Sequence, residues 1–297
     1  MTMMAHVREF FNYLPLLMKR DKIVLRRISS ALGDNLFLSF LAREIKAVSP
    51  RTVIAVETKW PELFAGNPFI DVVLKEKVAI RYLKIRYHID SGTTDHILDQ
   101  MIAQLPFPIK VWDRKLNLYF SEDEFSPLRR RLPDRYIVLN PQGKQRHSAN
   151  RKEWGLENFQ RVRDLLPEYN FVQIGPHDTP LLKNTFDCRG TGIRESAFII
   201  SESLTGVFLE GGLMHVANAV ERPCVIVFGG AVLPSVTGYT MHVNLSERPC
   251  CSPCITSHEK MSICDTMICM LAIQPGDVTE AVQRLAEKAK IAGEASL

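Results

Sequence analysis

The chain has 297 residues, is 46% hydrophobic and 24% charged, and carries a formal net charge of +4. This is the composition of a globular protein long enough for two domains with real cores, and the charge is too mild to mark a nucleic-acid binder. No apolar run reaches the length of a bilayer span, and residues 1–22 lack the basic leader, continuous apolar core and cleavage site of a signal peptide.

The expected location is therefore cytoplasmic, with peripheral contact at the inner face of the membrane left open by the basic tilt. Residues 1–22 predict an amphipathic helix interrupted near Pro15 and packed on its own domain. "KIVLRRI" (22–28) reads as a strand, and "NLFLSFLAREIKAV" (35–48) as a helix with Leu36, Phe40, Leu41 and Ile45 at helical spacing. Residues 51–57 and 71–74 predict two more strands, 93–105 a helix starting at a Thr or Asp cap, and 115–120 a further strand. Residues 121–135 are charged, contain prolines and show no apolar period, which predicts a linker between domains over 1–130 and 131–297. Strands then recur at 136–141, 170–175, 206–210 and 224–230, with helices at 156–167, 193–203 and 213–220. Strand–helix alternation with near-continuous apolar strands predicts parallel sheets covered on both faces. The expected architecture is α/β: two doubly wound, Rossmann-like domains facing a cleft. The tail from Asp277 to Lys290 starts with an Asp-x-x-Glu box and carries Val278, Val282 and Leu285 as an apolar stripe, predicting a C-terminal docking helix.

Ligands of open parallel sheets bind beyond the carboxyl ends of the strands, and three loops there carry chemistry. In "FLEGGLMHVANA" the strand ends at Glu210, and Gly211 and Gly212 let backbone approach a ligand before a helix begins at Leu213. The N-terminus of that helix offers unpaired amides and a positive dipole end to a phosphate, with His215 in reach and Glu210 placed for a ribose or sugar hydroxyl. A plain turn with a histidine cap is the alternative. In "NPQGKQRHSANRKEWGLENF" (140–159) Lys144, Arg146, Arg151 and Lys152 can neutralise a diphosphate, and Trp154 anchors the loop. In "SSALGDNLF" Asp34 is either a helix N-cap or a general base facing the cleft. His88 and His96 can line the acceptor cleft, with surface positions the expectation.

These segments, in this order, resemble glycosyltransferase family nine, the ADP-heptose:lipopolysaccharide heptosyltransferases. The resemblance rests on "SSALGDNLFLSFLAREIKAVSP", the Gly-Asn-Pro turn of "WPELFAGNPFIDVVL", "RKEWGLENFQRV", and "EGGLMHVANAVERPCVIVFGG", in which Glu210 stands where the family motif has aspartate. It implies a GT-B fold and an inverting, metal-independent transfer of heptose or a similar sugar from a nucleotide-diphosphate donor, ADP-linked, to a hydroxyl of a glycan or protein. It further implies that Asp34 is the base, and that Lys152 and the amides near Gly211, Gly212 and Leu213 stabilise the leaving diphosphate, with His215 beside them. A nucleotide-sugar epimerase or hydrolase, and a non-catalytic nucleotide-sugar-binding scaffold, fit the same fold. The acceptor and the oligomeric state are left open.

Five of the seven cysteines fall between 250 and 269. Cys251, Cys254, Cys264 and Cys269 supply four thiolates, enough for a closed tetrahedral site, and Cys250 or His258 can replace one. Relatives that glycosylate autotransporter proteins carry an iron-binding cysteine finger that this segment resembles. The expectation is a structural zinc or iron with no catalytic cofactor, the alternative being reduced thiols in a packed loop.

Overall fold

The computed structural model describes residues 22–27, 29, 31–75, 82–121, 123–143, 148–255 and 261–294. The helix expected before Lys22, Lys144 and Arg146 of the basic loop, and His258 lie outside them. Among the described residues no helix is long and apolar enough to cross a membrane. The chain divides into two units, Met1–Tyr87 with Leu98–Tyr119, and His88–Ile97 with Phe120–Leu297.

Unit 1 is built on four parallel strands, β1 (Lys22–Arg27), β2 (Val53–Glu57), β3 (Val72–Leu74) and β4 (Leu83–Ile85), in the order β3-β2-β1-β4. Every residue of β2 is buried, as a parallel strand covered on both faces requires. Helix α1 (Leu32–Val48) follows β1, and Phe37, Leu38 and Ala42 are buried along with its expected apolar stripe. Two expectations fail here. Residues 115–120 form no strand: Leu116 and Leu118 are buried, but the Asn117 N–H donates to Ser39 Oγ (3.0 Å) rather than to a neighbouring strand. The helix expected over 93–105 contracts to α2 (Ile97–Ile102), because Thr93 is held in a turn by its hydroxyl and amide bonds to Asp90 and caps nothing.

Unit 2 opens with a short helix, α3 (Ser126–Arg129), inside the stretch expected as a linker. That stretch is docked: Phe125 packs against Phe120 and Phe198, and Glu124 pairs with Arg194 at 2.6 Å. Six strands follow: β5 (Tyr136–Asn140), β6 (Asn170–Gly175), β7 (Phe186–Arg189), β8 (Thr205–Leu209), β9 (Val225–Val227) and β10 (Val243–Leu245). They form one parallel sheet ordered β10-β9-β8-β5-β6-β7, the doubly wound arrangement of a dinucleotide-type fold. The edge strands β7 and β10 have no continuous apolar run and were not expected from sequence.

Between the strands run α4 (Leu156–Leu165), α5 (Ile193–Glu202), α6 (Gly212–Ala219) and α7 (Pro234–Thr237); α8 (Ile268–Leu271) and α9 (Pro275–Glu294) follow β10. Side chains alternate across the sheet, so Ile137, Leu139, Val207, Leu209, Val225 and Val227 share one face. Phe159 and Val162 of α4 and Val278 and Val282 of α9 cover it. Helix α9 starts two residues before the expected box. Asp277 is its third residue, and its carboxylate accepts the Gln274 N–H (3.2 Å), which closes the first turn.

Candidate functional site

In an open parallel sheet the crevice lies where strand order reverses. In unit 2 that point is between β5 and β8, which pair directly while their outer neighbours run to opposite sides. The loop after β5 and the turn after β8 therefore meet, although 58 residues separate their key side chains: Lys152 Nζ and Glu210 Oε2 form a tight ion pair. Glu210 is buried, and burial opposes its charge. The Lys152 ammonium, by charge and hydrogen bond, with a smaller contribution from His215, outweighs burial and holds the Glu210 carboxyl below the usual glutamate range.

Past Glu210 the backbone passes through Gly211 into α6. Among the described residues a Cβ at Gly211 would meet nothing within 4 Å. Helix α6 has no side-chain cap and no acidic residue in its first turn. Among the described residues no side chain caps α6, and an uncapped helix start with its positive dipole end is chemistry that suits an anion. By contrast, α5 closes its own N-terminus with Glu195, whose carboxylate accepts the Gly192 N–H at 2.8 Å.

His215 is buried one turn into α6. Its Nδ1 is hydrogen-bonded to Tyr239 Oη at 2.7 Å, with the two rings edge to face. The Tyr239 ring also lies beside His96, whose Nε2 is 2.9 Å from the Gly238 carbonyl, and beside His242. His96 is thus buried rather than at the surface, whereas His88 is exposed. The buried hydroxyl of Thr237, two residues before Tyr239, also favours the charged Glu210 carboxylate. No local sequence signal tied Tyr239 to a histidine 24 residues earlier.

Unit 1 has its own reversal point, between β1 and β4. Asp34 sits there. The N-cap of α1 is Ala31, without a side-chain bond, and Asp34 is buried in the first turn instead. Tyr87 Oη donates to Asp34 Oδ1 (2.6 Å), and Arg27 Nη2 lies 3.2 Å from the same oxygen. Arg27 is itself oriented by the Ile85 carbonyl at 2.7 Å. Both contacts fall on Oδ1, and among the described residues no hydrogen bond reaches Oδ2. Tyr87 follows a three-residue strand that the apolar pattern did not announce, which is why the sequence did not point to it.

Of the four cations of the basic loop, Arg151 and Lys152 lie among the described residues, and they part. Arg151 turns away from Lys152's partner: its Nε donates to the Ser262 carbonyl (3.0 Å) and its Nη1 to Cys254 Sγ (3.2 Å). Trp154 is buried as expected, donating to the Ile273 carbonyl at 2.9 Å.

Cys251, Cys254, Cys264 and Cys269 all line one cavity of about 20 Å³ beside Arg151. Four thiols are a donor set that zinc or iron can take. All seven cysteines are unbridged, and among the described residues no three His, Cys, Asp or Glu side chains are drawn into a ligating group. The glycines of "FGG" serve this segment: Gly229 has φ of 61°, its Cα is covered by Met270, and a Cβ at Gly230 would come 2.9 Å from Cys269 Cβ.

No known family model matches the chain, nor does any curated protein. Solved structures do. E. coli ADP-heptose LPS heptosyltransferase II superposes with a TM-score of 0.66 at 17% identity, over 90% of this chain and 99% of that one. The iron-containing dodecameric glycosyltransferase TibC from enterotoxigenic E. coli gives 0.68 at 14% identity, over 90% and 76%. A family 9 glycosyl transferase from Veillonella parvula gives 0.65 at 16%, over 91% and 99%. The chain has the fold of these proteins, the GT-B fold.

Proposed function

On a chain with the heptosyltransferase fold, we propose a glycosyltransferase that moves heptose or a similar sugar from an ADP-linked donor to a hydroxyl of a glycan or protein, inverting the anomeric carbon. The observation that carries this reading is the pairing of Lys152 and Glu210 in front of the uncapped N-terminus of α6, at the reversal point of the unit 2 sheet. A cation and free backbone amides at one strand end are what a diphosphate needs.

In this reading the acceptor hydroxyl gives its proton to Asp34 Oδ2 as its oxygen bonds to the anomeric carbon. The bond from that carbon to the diphosphate oxygen breaks, and its electron pair leaves with the diphosphate. Lys152 and the amides of Gly212 and Leu213 stabilise the charge that develops there, so the chain itself supplies the positive charge of a metal-independent transfer. Glu210 holds Lys152 in place, and His215, fixed by Tyr239, stands at the edge of the same turn.

Titration calorimetry of ADP, UDP, GDP and CDP tests the donor site. ADP should bind the native chain and bind Lys152→Ala more weakly; binding of none of the four would overturn the reading.

The cysteine segment, in the same proposal, holds a structural zinc or iron on Cys251, Cys254, Cys264 and Cys269, supported by the single cavity that all four line. When bound, the ion would cross-link residues on both sides of the segment and take no part in the transfer. Metal analysis of purified protein should find about one ion per chain, lost in Cys254→Ser; a native chain without metal would overturn this part.

A further inference from the structure

Lys152 lies in the segment between β5 and α4, described over 148–155 next to α4. Around Lys152 the described backbone turns, with Arg151 N–H on the Ser148 carbonyl (3.0 Å) and Glu153 N–H on the Asn150 carbonyl (2.9 Å). Ala149 is held at φ of 48°, a left-handed conformation that costs a non-glycine residue about 1 kcal/mol. A conformation of that kind persists when surrounding structure dictates it.

The surrounding structure is the cysteine segment, more than a hundred residues later. Asn150 binds both backbone groups of one residue: its Nδ2 donates to the Cys264 carbonyl (2.9 Å) and its Oδ1 accepts the Cys264 N–H (2.9 Å). Arg151 adds a fork, with Nε on the Ser262 carbonyl and Nη2 on Ser262 Oγ (3.2 Å), and reaches Cys254 Sγ with Nη1. The segment is seated in turn on the glycine loop that follows β9, where Ser252 Oγ donates to the Gly230 carbonyl at 2.7 Å. The next side chain along the loop, Lys152, goes to Glu210 instead. Two consecutive residues thus face the cysteines while the third faces the phosphate turn.

We propose that Asn150 and Arg151 are positioning residues through which the cysteine-rich segment sets the place of Lys152, so that order in that segment controls affinity for a nucleoside diphosphate. This rests on the donor reading above. The energetic logic is preorganisation: a lysine whose loop is already latched loses less freedom when it meets a diphosphate.

The test is a double-mutant cycle read by calorimetry with ADP, joined to hydrogen exchange of the 148–154 amides. Asn150→Ala should weaken ADP binding about tenfold in the native background, the size of one lost charge-assisted contact, and have no effect in a Lys152→Ala background. Its amides at 148–154 should exchange faster, while those of β5 and β8 stay protected. Arg151→Lys, which keeps the charge and loses the fork, should shift both readouts the same way by less, and serves if Asn150→Ala does not fold. Equal losses in both backgrounds, or native affinity in Asn150→Ala, would overturn the proposal. If the native chain binds no ADP, the donor reading fails by itself. Exchange then decides the latch: faster 148–154 amides uphold it, and unchanged rates overturn it.

Discussion

Replacing Lys152 by alanine should have two separable consequences, one for stability and one for binding. Lys152 is the close partner of a Glu210 side chain that is only 5% exposed. Removing it leaves that carboxylate buried without its counter-charge, which costs about 3 kcal/mol. In a unit of this size each kilocalorie lowers the unfolding midpoint by about 2–4 °C, so the expected fall is roughly 6–12 °C. Losing a charge-assisted contact to the diphosphate should separately weaken ADP by about ten- to a hundredfold. The double variant Lys152→Ala, Glu210→Gln separates the two, because a neutral amide of nearly the same shape needs no counter-ion. Differential scanning calorimetry should show most of the lost stability restored, and titration calorimetry should show ADP still weakly bound. If the double variant binds ADP as tightly as the native chain, Lys152 is a counter-ion for Glu210 and nothing more, and the diphosphate assignment falls.

Asp34→Asn should reduce release of ADP from a sugar donor in the presence of acceptor by about 10²–10⁴-fold, with ADP affinity unaltered; unchanged turnover would remove Asp34 from the mechanism. His242 should make unfolding pH-dependent. Burial pushes its pKa down to about 4 from 6.5, against an opposing hydrogen bond to the Met214 carbonyl. The unfolded chain therefore takes up that proton first: stability is complete above about pH 6.5 and falls towards pH 4 by on the order of 3 kcal/mol. His242→Gln should flatten thermal midpoints over that interval, and a slope as steep as the native one would refute the assignment. Gly229→Ala must adopt a positive φ and displace Met270. Its unfolding midpoint should fall by roughly 2–8 °C, and a midpoint equal to the native one would show that the "FGG" turn is not under that constraint.

Much of the fold was legible because its central strands are buried on both faces. In β2, β5 and β8 every position is apolar or enclosed, so the runs stand out against the polar helix starts around them. What escaped lay at sheet edges and in short pieces. Leu83–Ile85 and Phe186–Arg189 are strands because a neighbour offers them a ladder, while 115–120 alternates like a strand and has none to join. Strand pairing is a non-local fact that no window of sequence contains.

The site divides along the same line. Lys152, Glu210, Gly211, Gly212 and His215 could be marked from residue type and position, because a strand end followed by glycine and a helix start is a local pattern. By itself the sequence determined the alternation of strands and helices, the glycine turn, the basic loop and the clustering of cysteines. Only the tertiary structure decided which of these touch. The order of the strands brought β5 beside β8 and so paired Lys152 with Glu210, sent Arg151 and Asn150 to the cysteines, and set Tyr87 and Arg27 on Asp34. Charge and hydrogen-bonding capacity are properties of residues, but a partner is a property of distance, and distance is set by how the sheets are wound.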